Sequence, residues 1–492
     1  MGFICCLVML FVCCSNSFLL AENEIRRPPN IVFILADDLG YGDLGCFGST
    51  KIRTPNIDRL AASGMRLTRH YSGNAVCAPS RCVLMTGLHP GHAFIRNNRS
   101  VGSEGQYPIP AGTKTLARRL HDAGYYCGAF GKWGLGGPTS EGRPLQQGID
   151  RFFGYNCQGV AHNFYPTSLW DNEAIFPLNN PIFAAHQALP ADSDPNDPAS
   201  FRAYKGNDYS ADIIHNQAIK FIRDNRSRPF FLFVPTTIPH LALQVPDDSL
   251  AEYLGQFEEH PYKGDRGYVP QQYPYACYAA MVSRLDRHVG EILTELEKQG
   301  LDRNTIVVFS SDNGPAAKFA GGTDSDFFQS SGGLTGKKGS LQEGGIRVPG
   351  IVSWPGNVPA GVVCDRITGF EDWTPTFFDL AGFNLVDRQE LDGISFAETL
   401  KGAQQPPRKF LYREFIRQQA VWSGPWKAIR NHLADPKDFQ AFKTELYNLD
   451  ADPTESQDLA TKHPQELANL EQIMQDEHRP SELFPIPALD QK

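Results

Sequence analysis

Thiols, long apolar runs and positive charge are all scarce in this chain of 492 residues, and each shortage excludes something. Of eleven cysteines, Cys5, Cys6, Cys13 and Cys14 lie near the start; the other seven (Cys46, Cys77, Cys82, Cys127, Cys157, Cys277 and Cys364) form no C-x-x-C pair and no zinc-like cluster. That density is too low for a disulfide-built scaffold, and the spacing does not say which of them pair. A net charge of −9 argues against general nucleic-acid binding, so any field that attracts an anion has to be local. The one marked apolar run near the start, Phe3 to Cys14, is too short to span a bilayer and reads as a signal-peptide core. It predicts residues 1–21 as a signal peptide cleaved near Ala21, a secreted or periplasmic location and no stable membrane insertion afterwards. Leu10-Phe11-Val12-Cys13 leaves lipoprotein attachment open. No later segment looks membrane-spanning.

What is present is ordinary globular composition, 41% hydrophobic and 21% charged, in a chain long enough for one large core and a smaller partner. The continuous apolar run Asn30–Ala36 reads as a strand buried on both faces, Tyr125–Phe130 as a short strand, and the apolar runs Pro229–Val234 and Thr305–Ser310 as further buried strands. Helical spacing separates them, over Thr113–Gly124, Tyr209–Asn225 and Ala276–Lys298, where Met281, Leu285, Val289, Ile292 and Leu296 recur on one face. Alternation of this kind predicts an α/β fold with a large, mainly parallel sheet. Residues 138–208, rich in Pro, Asn, Asp and Gly, read as an irregular insertion. From about Pro406 short alternating stretches (Lys409–Phe415, Ala420–Arg430, Glu445–Leu449) suggest a small antiparallel sheet, with a terminal helix over His463–Gln475. The expected division is a catalytic domain over 26–402 and a C-terminal subdomain over 403–492.

Chemistry-bearing residues gather at the ends of those strands. Asp37-Asp38 follow the first, Gly131-Lys132-Trp133 the second, Pro239-His240 the third and Asp312-Asn313-Gly314 the fourth. The carboxyl ends of parallel strands are where open α/β sheets bind ligands. A lone Asp or Asn-Gly at such a place is more often a turn; an Asp-Asp and then an Asp-Asn after apolar strands favour a site. Cys77-Ala78-Pro79-Ser80-Arg81 puts a potential nucleophile and a cation on neighbouring turns of a helix that Pro79 suits in its first turn.

Cys-x-Pro-Ser-Arg resembles the signature of the formylglycine-dependent sulfatases of the alkaline phosphatase superfamily. The four blocks above, Lys338-Gly339 and Glu343-Gly344-Gly345-Ile346-Arg347 follow in that family's order. The resemblance implies an alkaline-phosphatase-like fold and oxidation of Cys77 to formylglycine (3-oxoalanine) by a maturation enzyme. The hydrated aldehyde would then attack the sulfur of a sulfate ester. Asp37, Asp38, Asp312 and Asn313 form an all-oxygen set suited to Ca²⁺ or Mg²⁺; the family's habit favours one Ca²⁺, also touching modified Cys77. By the same resemblance Arg81 holds the site's geometry, Lys132 and Lys338 bind sulfate oxygens, and His240 protonates the leaving alcohol from a pKa near neutrality.

One departure stands out. Many relatives carry a His two residues after the lysine, where this chain has Gly134; His162 or a water is the candidate replacement. The expected substrate is a sulfated carbohydrate or an aryl sulfate. The alternatives are a phosphonate or phosphate ester hydrolase of the same superfamily and a catalytically dead protein that binds sulfated glycans.

Overall fold

The computed structural model describes residues 2, 27–102, 104–433 and 442–490. All but Gly2 of the expected signal peptide therefore lies outside the described residues. The strand Asn30–Ala36 is wholly buried, and its side chains alternate between two cores. Val32, Ile34 and Ala36 join one, Ile31, Phe33 and Leu35 the other. A strand apolar on every residue has nowhere to sit except between two covered faces.

It is the centre of a ten-stranded sheet. On one side lie Thr305–Ser311, Gly350–Ser353, Met65–Leu67 and Val362–Cys364; on the other Phe230–Pro235, Tyr126–Lys132, Arg151–Tyr155, Ser168–Asp171 and Ala174–Pro177. All strands point one way except Gly350–Ser353 and Ser168–Asp171. Helices Pro55–Ala62, Ser210–Asp224 and Pro274–Lys298 cover one face through Ile57, Leu60, Ile214, Ala218, Leu285 and Val289. Cys77–Thr86, Leu116–Asp122 and Trp373–Ala381 cover the other. Among the described residues no helix is long and apolar enough to cross a membrane.

The sequence misreads two regions. Residues 138–208 are not irregular throughout, since they supply three strands at one edge of the sheet. Arg151–Tyr155 is short and carries Arg and Gly, so nothing local marks it; its pairing with Gly128–Lys132 makes it a strand. The stretch Ala420–Arg430 is a hairpin, Gln418–Ser423 and Trp426–Arg430, turning at Gly424.

That hairpin belongs to an antiparallel four-stranded sheet running Leu411–Phe415, Gln418–Ser423, Trp426–Arg430 and Thr444–Asn448. Helix Pro464–Glu477 packs on one face through Leu470 and Met474. The other face shares a core with Tyr71, Leu341 and Ile346. Buried charge crosses the same junction. Glu343 accepts from Tyr71, Trp422 and Lys427, at 2.8, 2.8 and 3.1 Å. The Glu343–Arg347 block thus anchors the loop that carries Lys338 to the C-terminal sheet.

Candidate active site

Register brings the acids together. Ala36 lies opposite Ser311, so the next residues, Asp37 and Asp312, leave the sheet side by side, and the Asp312 amide donates to Ala36 O at 3.0 Å. The Asp38 amide donates to Asp312 Oδ1 at 3.2 Å. On the far side, the Asp37 amide donates to Ile238 O at 3.1 Å, two residues before His240. A backbone clasp completes the frame: Gly339 N donates to Ala75 O at 2.9 Å and Lys338 N to Pro315 O at 3.0 Å. It draws the loop after Asn313 and the segment before Cys77 onto the Lys338 loop. Gly314 permits this closeness, because a Cβ there would lie 2.1 Å from Gly344 O.

Asp37, Asp38, Cys77, Arg81, Lys132, His240, Asp312, Asn313 and Lys338 fall in this one cluster. Cys77 opens the helix Cys77–Thr86, buried, with Sγ 3.4 Å from Asp37 Oδ1 and 3.6 Å from the ammoniums of both Lys132 and Lys338. Lys132 Nζ lies 2.7 Å from Asp37 Oδ2, and Lys338 Nζ 2.7 Å from Asp38. Arg81 donates to Asp312 Oδ2 through Nε and Nη2, at 3.1 and 2.7 Å, and reaches Asp37 at 3.4 Å. His240 Nε2 is 3.5 Å from Asp38 Oδ2. Lys337, next to Lys338 in the chain, turns instead to Asp326.

The charges decide the protonation states. Burial, with Asp312 and Asp37 alongside, pushes the Cys77 thiol far above its ordinary range. As a cysteine, residue 77 is therefore a protonated, poor nucleophile. Burial would also raise Asp37, but Lys132, His240, Arg81 and Lys338 together hold its carboxyl far below the usual range. Burial and the charge of Asp37 push Asp312 upward against Arg81. Burial would discharge both lysines, yet Asp37 keeps Lys132 charged and Asp38 keeps Lys338 charged. The near-neutral pKa expected of His240 is not what the structure gives. Burial and the two lysine charges drive it well down, and its Nδ1–H donates to Leu241 O, so Nε2 faces the site unprotonated.

The donor set fits a hard divalent cation. Asn313 Nδ2 donates to Asp38 Oδ1 and Gly314 O, at 2.7 and 2.9 Å, which fixes the amide and leaves Oδ1 buried without a partner. A buried acceptor with no donor, among buried carboxylates, is what a cation would satisfy. Ligand atoms of Asp37, Asp38, Cys77 and His240 all lie within 4.8 Å of one another. Asp312 stands behind them, engaged by Arg81.

His162 stacks on His240, ring centroids 4.8 Å apart and 14° from parallel. Its Nδ1 lies 3.0 Å from His186 Nε2, and burial with the nearby His240 pushes it down to about 2. His186 and Tyr268 complete a ring cluster around it. Sequence reasoning missed both, since neither carries a motif and one lies in the segment read as irregular.

Residues 29–383 match a family model described as Sulfatase, and 336–479 one described as N-sulphoglucosamine sulphohydrolase, C-terminal. The chain is similar to arylsulfatase A of Homo sapiens, 32% identical, with 92% of this chain and 89% of that protein covered. It is also similar to the N-acetylgalactosamine-6-O-sulfatase of Bacteroides thetaiotaomicron, at 28% identity over 95% of this chain and 96% of the other. Among solved structures, Ps i-CgsB in complex with k-i-k-neocarrahexaose superposes with a TM-score of 0.73 at 28% identity, over 92% of this chain and 94% of that one. The chain belongs to the sulfatase family and is a sulfuric ester hydrolase.

Proposed function

We propose that this enzyme removes sulfate from a sulfated carbohydrate, using Cys77 oxidised to formylglycine by a maturation enzyme and one Ca²⁺ held by Asp37, Asp38, Asp312, Asn313 and the modified residue 77. The single observation that carries the reading is Cys77, flanked at 3.6 Å by two ammoniums and at 3.4 Å by a carboxylate of the acidic cluster. The carbohydrate preference draws on relatives named N-acetylgalactosamine-6-sulfatase and N-acetylgalactosamine-6-O-sulfatase and on the complex with k-i-k-neocarrahexaose. The expected signal peptide supports secretion. Residues 26–402 are read as the catalytic domain and 403–492 as a subdomain that buttresses it.

The oxidised residue supplies an oxygen nucleophile that the thiol does not, and the cation supplies the charge that favours its ionised form. The chain's own groups do the rest. Lys132 and Lys338, fixed by Asp37 and Asp38 on either side of residue 77, receive the sulfate oxygens. Arg81 locks Asp312 and Asp37 in place, so these charges need no reorganisation as negative charge builds on the leaving oxygen. His240 holds its Nε2 toward the site. The sulfate's negative charge offsets the repulsion from the two lysines, which raises the imidazole toward protonation and lets it donate to the departing alcohol.

The test is release of inorganic sulfate from defined sulfated saccharides and 4-nitrophenyl sulfate by matured protein, with Cys77→Ala as control and the aldehyde checked by mass. Sulfate release that depends on the aldehyde supports the reading. An unmodified thiol in fully active protein overturns the nucleophile, and activity on phosphonate esters alone overturns the substrate class.

A further inference from the structure

Two buried carboxamides beside the site have nothing to bond. Asn156 and Gln158 are 1% and 6% exposed, and neither the amide nitrogen nor the amide oxygen of either side chain has a hydrogen-bond partner. Buried amides in folded proteins are almost always paired, so an unpaired one calls for a role such as holding a ligand.

Their position says which ligand. They follow the strand Arg151–Tyr155, whose last residue lies opposite Lys132. Past the sheet the two chains stay joined, Trp133 N donating to Tyr155 O at 2.9 Å and Gly134 N to Asn156 O at 3.1 Å. Gly134 has φ +80°, and a Cβ built on it would meet Gln158 Nε2 at 2.1 Å, with Arg81 Cδ 3.5 Å away. The Gln158 amide therefore fills the space that a side chain at 134 would enter, next to the Arg81 stem and two residues from Lys132. The resemblance implies a histidine there in many relatives, where this chain leaves the space to Gln158. Gln158 and a histidine at 134 exclude each other.

Building on the sulfatase reading of the site, we propose that Gln158 contacts the substrate in place of the missing imidazole, its Nε2–H donating to a sulfate oxygen. A carboxamide offers a donor and an acceptor without titrating, so it positions sulfate but takes no proton. His162, stacked on His240, belongs to the leaving-group side and is not the replacement.

Three measurements on matured enzyme test this: calorimetric titration with inorganic sulfate, kcat/KM for sulfate release across pH, and thermal unfolding. Gln158→Met keeps the volume and removes the hydrogen bonds. It is expected to weaken sulfate binding about tenfold and kcat/KM about a hundredfold without lowering Tm, because no partner loses a bond. A structural amide would give the reverse pattern. Gln158→Glu adds a charge that repels sulfate, so its deficit should grow as pH rises through the carboxylate's titration and shrink in acid. Gln158→Met within twofold of wild type in both binding and kcat/KM overturns the proposal, as does a Gln158→Glu deficit independent of pH. The sulfatase reading fails separately: wild-type protein that binds sulfate yet hydrolyses no sulfate ester refutes that reading, while the sulfate titrations still decide the role of Gln158. Wild-type protein that neither binds nor hydrolyses overturns both.

Discussion

Lys132 and Lys338 are chemically alike but differently seated, and replacing each by methionine separates catalysis from stability. Each ammonium is 2.7 Å from a carboxylate and 3.6 Å from Cys77 Sγ, yet the Lys132 side chain is 1% exposed and that of Lys338 20%. Lys132→Met leaves Asp37 buried with Arg81, at 3.4 Å, as its remaining ion-pair partner and Lys338 farther off. Breaking a buried pair costs about 3–5 kcal/mol, and the surviving partner keeps the loss at about 3 kcal/mol. Lys338→Met leaves buried Asp38 bonded to Asn313 Nδ2 at 2.7 Å and removes an ammonium that was itself partly hydrated, so the loss there falls below the buried-pair range, to about 1–2 kcal/mol. On the proposed reading both variants lose a fixed cation aimed at the sulfate oxygens, worth about 10²–10³ in kcat. Sulfate release on a defined saccharide gives kcat, and scanning calorimetry gives Tm. The expected pattern is two similar losses of kcat and a clearly larger drop in Tm for Lys132→Met. Equal drops in Tm would refute the burial argument, and an unchanged kcat in either variant would refute the assignment of that lysine to sulfate.

Three further outcomes follow from the same geometry. Ca²⁺ at about a hundredfold excess over Kd should stabilise the protein by about 2.7 kcal/mol, with chelator reversing the rise in Tm and Asn313→Leu abolishing it; no response to Ca²⁺ or Mg²⁺ would remove the cation from the site. His240→Ala should reduce the hydrolysis of a sugar sulfate far more than that of 4-nitrophenyl sulfate, whose leaving group needs no proton, and equal losses would exclude an acid role. Arg413→Met strips Glu371 of its two-bond partner, at 3.0 and 2.8 Å in a fully buried place, and should cost about 3–5 kcal/mol at neutral pH. Burial would raise Glu371, but Arg413 and Arg408 hold it down at about 2. A depressed carboxyl stabilises fully above its unfolded value, about 4.3, and loses that contribution as pH falls toward 2. The deficit measured by urea unfolding should therefore shrink in acid, and a deficit equal at pH 7 and pH 3 would refute the pairing.

How much of this was legible in the sequence depended on whether the information was local. Asn30–Ala36 and Thr305–Ser311 announce themselves because a strand covered on both faces must be apolar at every position. Asp37 and Asp312 are legible for the same reason, as the first polar residues after such runs. Arg151–Tyr155 is not, since its strand character comes from Gly128–Lys132 across the sheet edge. Nor is Gln158, whose place is set by a glycine twenty-four residues earlier through a contact that no local pattern encodes. The depressed basicity of His240 was hidden for a third reason. It arises from burial and two lysine charges that approach only when three separate loops converge.

The convergence also explains how an acidic protein attracts an anion. With Asp37, Asp38 and Asp312 ionised, the site holds three negative charges against three positive ones, Arg81, Lys132 and Lys338. Apart from the neutral His240 it is balanced, and offers a sulfate ester no net attraction. A divalent cation tips the balance by two positive charges, more than the single negative charge of a sulfate monoester. The field would thus be switched on locally, whatever the −9 carried by the whole chain. Burial matters as much as sign here. Of the six charged side chains only Lys338 is appreciably open to solvent, so the field falls where water screens it least. Affinity for sulfate should then depend on the cation far more than on ionic strength. Inorganic sulfate that binds chelated and Ca²⁺-loaded protein equally well, but fades as salt is added, would show that the attraction comes from the surface instead.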